Sequence, residues 1–123
     1  MLIDSNIIIY AAQPAYAGIR QFIADHAPAV SVVSYIEVVG FHRLTDEERK
    51  FFQAFFDAAT VLPISQEVID WAVQLRQQRK LSLGDALIAG TALAHNLKLV
   101  TRNTKDFAWL SELKLLDPFT QTP

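Results

Sequence analysis

The 123-residue sequence contains no cysteine. This absence excludes a disulfide framework, a thiolate zinc site and a cysteine nucleophile, and it fits a reducing compartment. Glycine is scarce, with four residues, and no Gly-rich phosphate loop occurs. A Gly-x-Ser-x-Gly nucleophile elbow is also missing. The sequence therefore gives no support to nucleotide-binding or serine-hydrolase sites of these kinds.

Positive charge is not in excess, since 11 Lys and Arg residues stand against 13 Asp and Glu residues. Bulk charge thus gives no help to a nucleic-acid substrate. Long apolar runs are missing too, because none reaches the roughly 18–20 residues that span a bilayer. The N-terminal apolar run has no basic region before it and is interrupted by Asp4, unlike a secretory signal. We expect a soluble cytoplasmic protein that does not enter a membrane.

Hydrophobic residues make up 51% of the chain, enough for a sizeable core. Short apolar segments at 1–3, 30–33, 61–64, 97–101 and 113–116 predict strands. Helices are predicted over 7–12, 17–26, 65–79 and 82–95, and from Ser34 and Thr45 onward. This alternation without hairpin signals predicts an α/β fold, with a mostly parallel sheet of four to five strands flanked by helices on both faces. The length predicts one domain, residues 1–123.

Acidic residues follow several of the predicted strands. Asp4 ends the first, Glu37 lies just after 30–33, Asn103 and Asp106 lie in a predicted loop at 102–107, and Asp85 begins an apolar helix. Sites in open parallel sheets form beyond the carboxyl ends of strands, so these side chains converge if the strands are neighbours. Clustered carboxylates repel each other, and a hard cation such as Mg²⁺ or Mn²⁺ relieves that conflict.

Helix capping is a purely structural alternative. Capping-box spacing occurs at Ser34-x-x-Glu37, Thr45-x-x-Glu48 and, more loosely, Ser82-x-x-Asp85. Charged neighbours around Glu48 predict a surface cap, whereas apolar residues surround Glu37 and Asp85. Burying a charged acid costs free energy, so capping alone explains Glu37 and Asp85 less well, but spacing leaves both capping and a functional role open. Asp4 could likewise serve only an Asx-type turn between strand and helix.

Four stretches resemble the PIN-domain family and, within it, the VapC-type toxins of toxin–antitoxin pairs. They are LIDSNIIIY, SVVSYIEVVG, LSLGDALIAGTALAHNLKLVTRNTKDF and LKLLDPF, and they run from Leu2 to Phe119 in the family's order. The resemblance implies a parallel sheet flanked by helices and metal-dependent hydrolysis of RNA. It also implies Mg²⁺ as cofactor, with Mn²⁺ as a substitute, and two protein partners: a second copy of the chain in a homodimer, and a small antitoxin with a basic arm.

The resemblance assigns roles to individual residues by position. Asp4, Glu37 and Asp85 would be the first three catalytic acids. Asn103 stands where many members have aspartate. Whether Asn103 or Asp106 takes the fourth role is left open, with Asp106 as the candidate ligand, and so is the choice between one and two metals. The metal ligands would be Asp4, Asp85 and Asp106, and the ion would lower the pKa of the water that attacks the phosphodiester. Glu37 would bind the metal through water or steer the nucleophile.

Further residues would support this site. Ser5 matches a small hydroxyl residue of the family and would contact a water or a phosphate, while Asn6 would orient Asp4. Arg102 and Lys105 flank the acidic loop and are candidate phosphate contacts, although they could equally be solvated loop charges.

Three more cations, Arg76, Arg79 and Lys80, end a predicted helix. Cations there favour the helix dipole, so we interpret them first as capping charges and second as an RNA-binding edge.

Two other functions remain open at this stage. A PIN-like interaction module that has lost catalysis is compatible with Asn103. A signalling receiver domain has similar length, α/β alternation and clustered acids. It usually needs paired acids after the first strand and a lysine after the last, whereas this chain offers Asp4 alone and has Lys98 before its strand.

Overall fold

The strands in the computed structural model are short, and the structure describes residues 1–120. The last three residues of the predicted domain 1–123 lie outside this part. Within residues 1–120, the strands are β1 (Leu2–Ile3), β2 (Ala29–Ser31), β3 (Val61–Leu62), β4 (Leu99–Val100) and β5 (Leu115–Leu116). They form one sheet in the order β3-β2-β1-β4-β5, and every neighbouring pair is parallel.

Helices connect successive strands. They are α1 (Ser5–Ala11), a short 3-10 helix (Pro14–Tyr16), α2 (Ala17–His26), α3 (Val32–Val39), α4 (Asp46–Ala58), α5 (Gln66–Gln78), α6 (Leu83–Ala94) and α7 (Thr104–Phe107). Among the described residues, no helix is long and apolar enough to cross a membrane. The predicted α/β architecture is confirmed.

Two hydrophobic clusters lie on opposite faces of the sheet, because successive side chains of a strand point to opposite sides. Leu2 and Leu99 pack with Leu75, Ile88 and Phe107 of helices α5, α6 and α7. On the other side, Ile3, Val30 and Val100 pack with a second set from helices α1, α2 and α4, namely Ile7, Ile19, Phe52 and Phe56. The helices thus cover both faces, as predicted, and leave the strand ends for a site.

The strand order excludes the receiver-domain alternative. Receiver domains have the flavodoxin-like order 2-1-3-4-5, whereas this chain has β3-β2-β1-β4-β5. In this chain β1 and β4 are direct neighbours, with Leu2 opposite Leu99 and Ile3 opposite Val100. That alternative therefore fails on topology.

The second predicted strand ends earlier than its β-branched residues suggested. Residues 32–33 belong to α3, because Ser31 caps this helix and its Oγ accepts a hydrogen bond from the N–H of Val33 at 3.0 Å. The prediction that Ser34 and Glu37 form a capping box is therefore wrong. Ser34 is buried inside the helix, and Glu37 lies in the second half of it rather than in the first turn.

The predicted loop at 102–107 also needs correction, because residues 104–107 form the one-turn helix α7. Asp106 lies in this helix, while Asn103 precedes it. The buried ring of Phe107 anchors α7 on the core, and Trp109 Nε1 donates to the backbone oxygen of Asp106 at 2.9 Å. These contacts turn a polar segment into ordered structure beside the sheet edge.

Candidate active site

Asp4 is fixed at the carboxyl end of β1 by both of its side-chain oxygens. Its Oδ1 accepts a hydrogen bond from the N–H of Ser5 at 2.8 Å, and so caps α1. Its Oδ2 accepts one from Thr101 Oγ1, also at 2.8 Å. Its own N–H donates to Val100 O at 2.9 Å, which continues the pairing of β1 with β4. Only 5% of Asp4 is exposed, so this carboxylate is buried and held in one orientation.

The hydrogen bond between Thr101 and Asp4 marks the topological switch point of the sheet. From β1 the chain moves to β2 and β3 on one side, and it later returns to β4 and β5 on the other. Adjacent strands whose connections leave in opposite directions open a crevice at their carboxyl ends, where ligands bind in open α/β sheets. Asp4 and Thr101 are the residues that follow β1 and β4 at this crevice.

Glu37 reaches the same region from the middle of α3. Its Oε1 accepts a hydrogen bond from Ser5 Oγ at 2.7 Å, and Ser5 Oγ is also hydrogen-bonded to Ser34 Oγ at 2.8 Å. Its Oε2 lies 2.8 Å from the point where a Cβ on Gly84 would stand. Glu37 is therefore held between the start of α1 and the start of α6, although its side chain is exposed.

Asp85 lies in the first turn of α6, where its N–H donates to Ser82 Oγ at 3.1 Å. The reciprocal bond of a capping box, from the Ser82 N–H to the Asp85 carboxylate, is not formed in the described chain. Asp85 instead lines a cleft of about 660 Å³ together with Asp106. The carboxylate of Asp85 is thus left available to this cleft.

Electrostatic repulsion connects the acids. Burial is the main reason that the pKa of Asp4 is raised above 3.8; the hydrogen bonds from Thr101 and Ser5 lower it, while Asp85 and Glu37 raise it further. The pKa of Asp85 is raised as well, first by burial and then by Asp106 and Glu37, against the opposing hydrogen bond to Ser82. Asp85 and Glu37 therefore lie within electrostatic range of Asp4, and Asp106 and Glu37 lie within range of Asp85.

Within residues 1–120, none of these carboxylates forms an ion pair with a protein cation. Across residues 1–120, the one ion pair joins Arg49 to Asp46 on α4, at 3.4 Å. A carboxylate group that is partly buried and unpaired is costly, and the usual remedies are protonation or a bound cation. The arrangement suits a cation from outside the protein.

The donor set has the chemistry of a site for a divalent metal ion. All of its members are oxygen donors, as hard divalent ions require. Asn6 adds a buried Oδ1 with no hydrogen-bond donor. As the side chains stand, no group of three or more His, Asp or Glu in residues 1–120 closes around a metal position. The residues fit a divalent cation in chemistry and charge, and binding would require the carboxylates to draw together.

The remaining predicted site residues are placed differently. In the described chain the Asn6 side chain makes no hydrogen bond to Asp4, which is oriented by Ser5 and Thr101 instead. Asn103 is exposed, and only its backbone N–H contacts the site, donating to Thr101 Oγ1 at 3.1 Å.

The two predicted phosphate contacts also differ from each other. The guanidinium of Arg102 lies 4.2 Å from the ring centroid of Phe119 and 5.0 Å from that of Tyr10, so it is stacked on aromatic rings. Lys105 lines the cleft beside Asp106.

Sequence reasoning missed three residues of the site: Thr101, Ser34 and Gly84. Thr101 had a usable signal, because it ends the fourth predicted strand just as Asp4 ends the first. Ser34 was interpreted as a cap, and its contact with Ser5 could not be seen from spacing. Gly84 has no sequence signal, since its role is to leave room for Glu37.

The family model for the PIN domain matches residues 1–113. The chain belongs to the PIN-domain family. It is also similar to proteins named ribonuclease VapC. It is 27% identical to the one from Rickettsia bellii, with 94% of each chain covered. It is 30% identical to ribonuclease VapC10 of Mycobacterium tuberculosis, with 93% of this chain and 90% of the relative covered.

Solved structures agree with this PIN-domain assignment. The fold matches a toxin–antitoxin complex from Klebsiella pneumoniae with a TM-score of 0.78 and 31% identity, over 95% of this chain and 96% of the other. It matches the DNA-bound VapBC of Salmonella typhimurium with a TM-score of 0.84 over 95% and 96%, at 19% identity, which supports the fold alone. The resemblance found in the sequence is thus confirmed.

Proposed function

We propose that this PIN-domain protein is a divalent-metal-dependent endoribonuclease and the toxin of a type II toxin–antitoxin pair. The observation that carries the proposal is the convergence of Asp4, Glu37 and Asp85 at the switch point of the sheet, where none of them forms an ion pair within residues 1–120. The names of the similar ribonucleases support RNA as the substrate. The buried carboxylate of Asp4 and the partly buried one of Asp85, which repel each other, support a metal, because a bound cation would offset their repulsion.

The residues divide the work by position. Asp4, Asp85 and Asp106 would hold Mg²⁺ or Mn²⁺, which supplies an activated water and neutralises phosphate charge. Asp4 is buried and doubly hydrogen-bonded, so it gives the ion a rigid anchor. Glu37 is exposed and held by Ser5, so its carboxylate can orient the attacking water and accept its proton. Attack of the water oxygen on the phosphorus would form one P–O bond and break another in the RNA backbone, and the leaving ribose oxygen would take up a proton from solvent.

The test is cleavage of a labelled RNA by purified protein with Mg²⁺, with Mn²⁺ and with EDTA. Asp4→Asn keeps the size of the side chain and removes its charge, and we expect it to slow cleavage by about 10²-fold or more. Asp57→Asn makes the same change at an exposed position of α4 and should cleave normally. The proposal fails if Asp4→Asn cleaves as fast as the wild type, or if cleavage persists in EDTA.

We further propose an antitoxin partner that fills an apolar groove beside Glu37. This groove of about 490 Å³ is lined by Ile9, Val38, Phe41, Leu44 and Phe52, with Glu37 among its lining residues. Ile9 and Phe41 are 46% and 50% exposed, and large apolar side chains grouped on an exposed surface often mark a binding site for another protein. An apolar segment followed by a basic side chain would cover both the groove and the carboxylate.

Co-expression with the product of a neighbouring short reading frame tests this partner. Phe41→Asp should abolish co-purification and leave RNA cleavage by the free protein intact. If the partner still co-purifies with the Phe41→Asp variant, the groove is not its binding site. Light scattering of the free protein tests the homodimer that the resemblance implies.

A further inference from the structure

The cleft that contains Asp85 and Asp106 has a cationic wall. Its lining consists of Arg76, Arg79, Lys80, Leu81, Ser82, Asp85, Lys105, Asp106 and Trp109. The first three of these residues come from the end of α5 and the segment after it, and Lys105 comes from α7. The cleft therefore runs from the acidic site to a group of four cations within one volume of about 660 Å³.

These cations are not neutralised by the acids that share their cleft. In the part of the chain that the structure describes, neither Asp85 nor Asp106 forms an ion pair, since the pair there joins Arg49 to Asp46. Arg76 is tied down by a hydrogen bond from its Nε to Leu81 O at 3.1 Å. Arg79, Lys80 and Lys105 remain free to meet an anion.

Trp109 provides a flat surface in the same cleft. Its Nε1–H donates to Asp106 O at 2.9 Å, which fixes the ring plane relative to α7. The guanidinium of Arg79 lies 5.3 Å from the ring centroid. The ring is only partly buried, so part of it stays accessible. An oriented indole beside free cations is the combination that single-stranded nucleic acids use, with bases on the ring and phosphates on the cations.

We propose that this cleft binds one unpaired nucleotide of a single-stranded RNA segment next to the scissile phosphate. The base stacks on Trp109, and the flanking phosphates contact Arg79, Lys80 and Lys105. This inference rests on the proposed ribonuclease function and adds the residues that hold the nucleotide, with Trp109 for the base and the cations of the cleft for the phosphates. In a duplex the base faces are covered by their neighbours and are closed to a tryptophan.

Fluorescence anisotropy in EDTA measures RNA binding separately from cleavage. The probe is a labelled single-stranded oligonucleotide, compared with the same sequence annealed into a duplex, over a series of salt concentrations. For single strands the logarithm of affinity falls with the logarithm of salt, by about 0.7 per phosphate contact. We expect Lys80→Ala and Lys105→Ala each to reduce this slope by about 0.7. Lys50→Ala, at an exposed position of α4, serves as the matched charge control and should leave the salt slope unchanged.

Trp109 has a different signature. Trp109→Leu should weaken binding of the single strand about 5- to 150-fold without changing the salt slope, because it removes stacking but no charge. Trp109→Phe should restore most of the affinity. Leucine retains apolar packing against the neighbouring core, and melting temperatures show whether both variants fold.

Several results would overturn the proposal: unchanged slopes in both lysine variants, unchanged affinity in folded Trp109→Leu, or equal affinity for the duplex. These results are distinguishable from failure of the proposed function. If the cleft variants lose RNA binding as expected while Asp4→Asn cleaves as fast as the wild type, RNA binding in the cleft is supported and the nuclease mechanism is rejected. If Asp4→Asn abolishes cleavage and the cleft variants bind RNA normally, the nuclease mechanism is supported and RNA binding in the cleft is rejected.

Discussion

Two stretches of this chain share the pattern Ser/Thr-x-x-Glu but use it differently. At Thr45 and Glu48 both hydrogen bonds of a capping box are present, with the Glu48 N–H on Thr45 Oγ1 at 3.1 Å and the Thr45 N–H on Glu48 Oε1 at 3.0 Å. At Ser34 and Glu37 neither capping bond forms. There the serine is fully buried, and Ser5 connects it to the glutamate.

The difference lies in where each helix begins. Helix α4 starts immediately after Thr45, so its free N–H groups meet that hydroxyl. Helix α3 starts after Ser31, which takes the cap and releases Ser34 and Glu37 from that task. Glu37 is then free to point at the crevice. A capping pattern therefore identifies a cap only when the helix starts at that residue, and a glutamate displaced from this duty is a candidate for chemistry.

The same substitution in both stretches tests whether Glu37 acts in catalysis while Glu48 only caps a helix. Glu37→Gln removes the charge but keeps an oxygen for Ser5, and we expect RNA cleavage to fall by about 10²-fold or more. Glu48→Gln should leave cleavage and stability nearly unchanged, because glutamine also serves in capping boxes. Single-turnover cleavage and thermal melts check both. Equal activity of the two variants would make Glu37 a structural residue.

The next largest effect is expected at Gly84. An alanine Cβ there would stand 2.8 Å from Glu37 Oε2, so the flexible carboxylate must shift. A displacement of this kind should cost roughly 10- to 100-fold in cleavage. The fold should tolerate it, because the clash is with the end of a flexible side chain. Gly18→Ala is the matched control on α2, since within residues 1–120 no atom beyond its chain neighbours and its own helix backbone lies within 4 Å of its Cβ position. Normal cleavage by Gly84→Ala would show that the position of Glu37 is not critical.

Much of the fold was predictable because its signals are local. The alternation of strands and helices and the Thr45 cap both follow from short stretches. The errors came from one ambiguity. Residues 30–33 are β-branched and apolar throughout, and such a run does not show where a buried strand becomes a buried helix. Tertiary packing and the Ser31 cap decide that boundary.

The site was predictable only as a set of acids at strand ends. The sequence analysis selected Asp4, Glu37, Asp85 and Asp106. The structure brings Asp4 within electrostatic range of Glu37 and Asp85, and Asp85 within range of Asp106. Sequence reasoning could not find contacts between distant segments, such as Thr101 with Asp4, which are 97 residues apart. It also gave no reason to connect Arg79 with Trp109, because their proximity depends on how α5 and α7 pack.

A stability effect follows at the capping box itself. Thr45→Ala removes the hydroxyl that caps α4 and should lower the free energy of unfolding by about 1 kcal/mol. Cleavage should be unaffected, because α4 lies outside the acid cluster. Chemical denaturation measures the loss, and Thr45→Ser, which keeps the hydroxyl, should recover most of it. An unchanged free energy in Thr45→Ala would mean that the cap adds nothing to stability.

The smallest net effect is expected for the stability of Asp4→Asn without metal, because two contributions oppose each other. Burial and repulsion by Asp85 and Glu37 disfavour the Asp4 carboxylate, while the hydrogen bonds from Thr101 and Ser5 favour it. The raised pKa of Asp4 shows that the unfavourable contributions win. Asparagine escapes the charge penalty but forms a weaker hydrogen bond with Thr101.

The pH dependence separates these two contributions. Because folding raises the pKa of Asp4 above 3.8, the folded state binds this proton more tightly, and stability falls as pH rises from 3.8 through the raised value. The asparagine variant lacks this step, so in EDTA its stability relative to the wild type should increase with pH and then level off. Denaturation at a series of pH values measures the difference, with Asp57→Asn as an exposed control. Parallel curves for wild type and Asp4→Asn would mean that folding does not raise the pKa of Asp4. The argument that the site needs an external cation would then lose its main physical support.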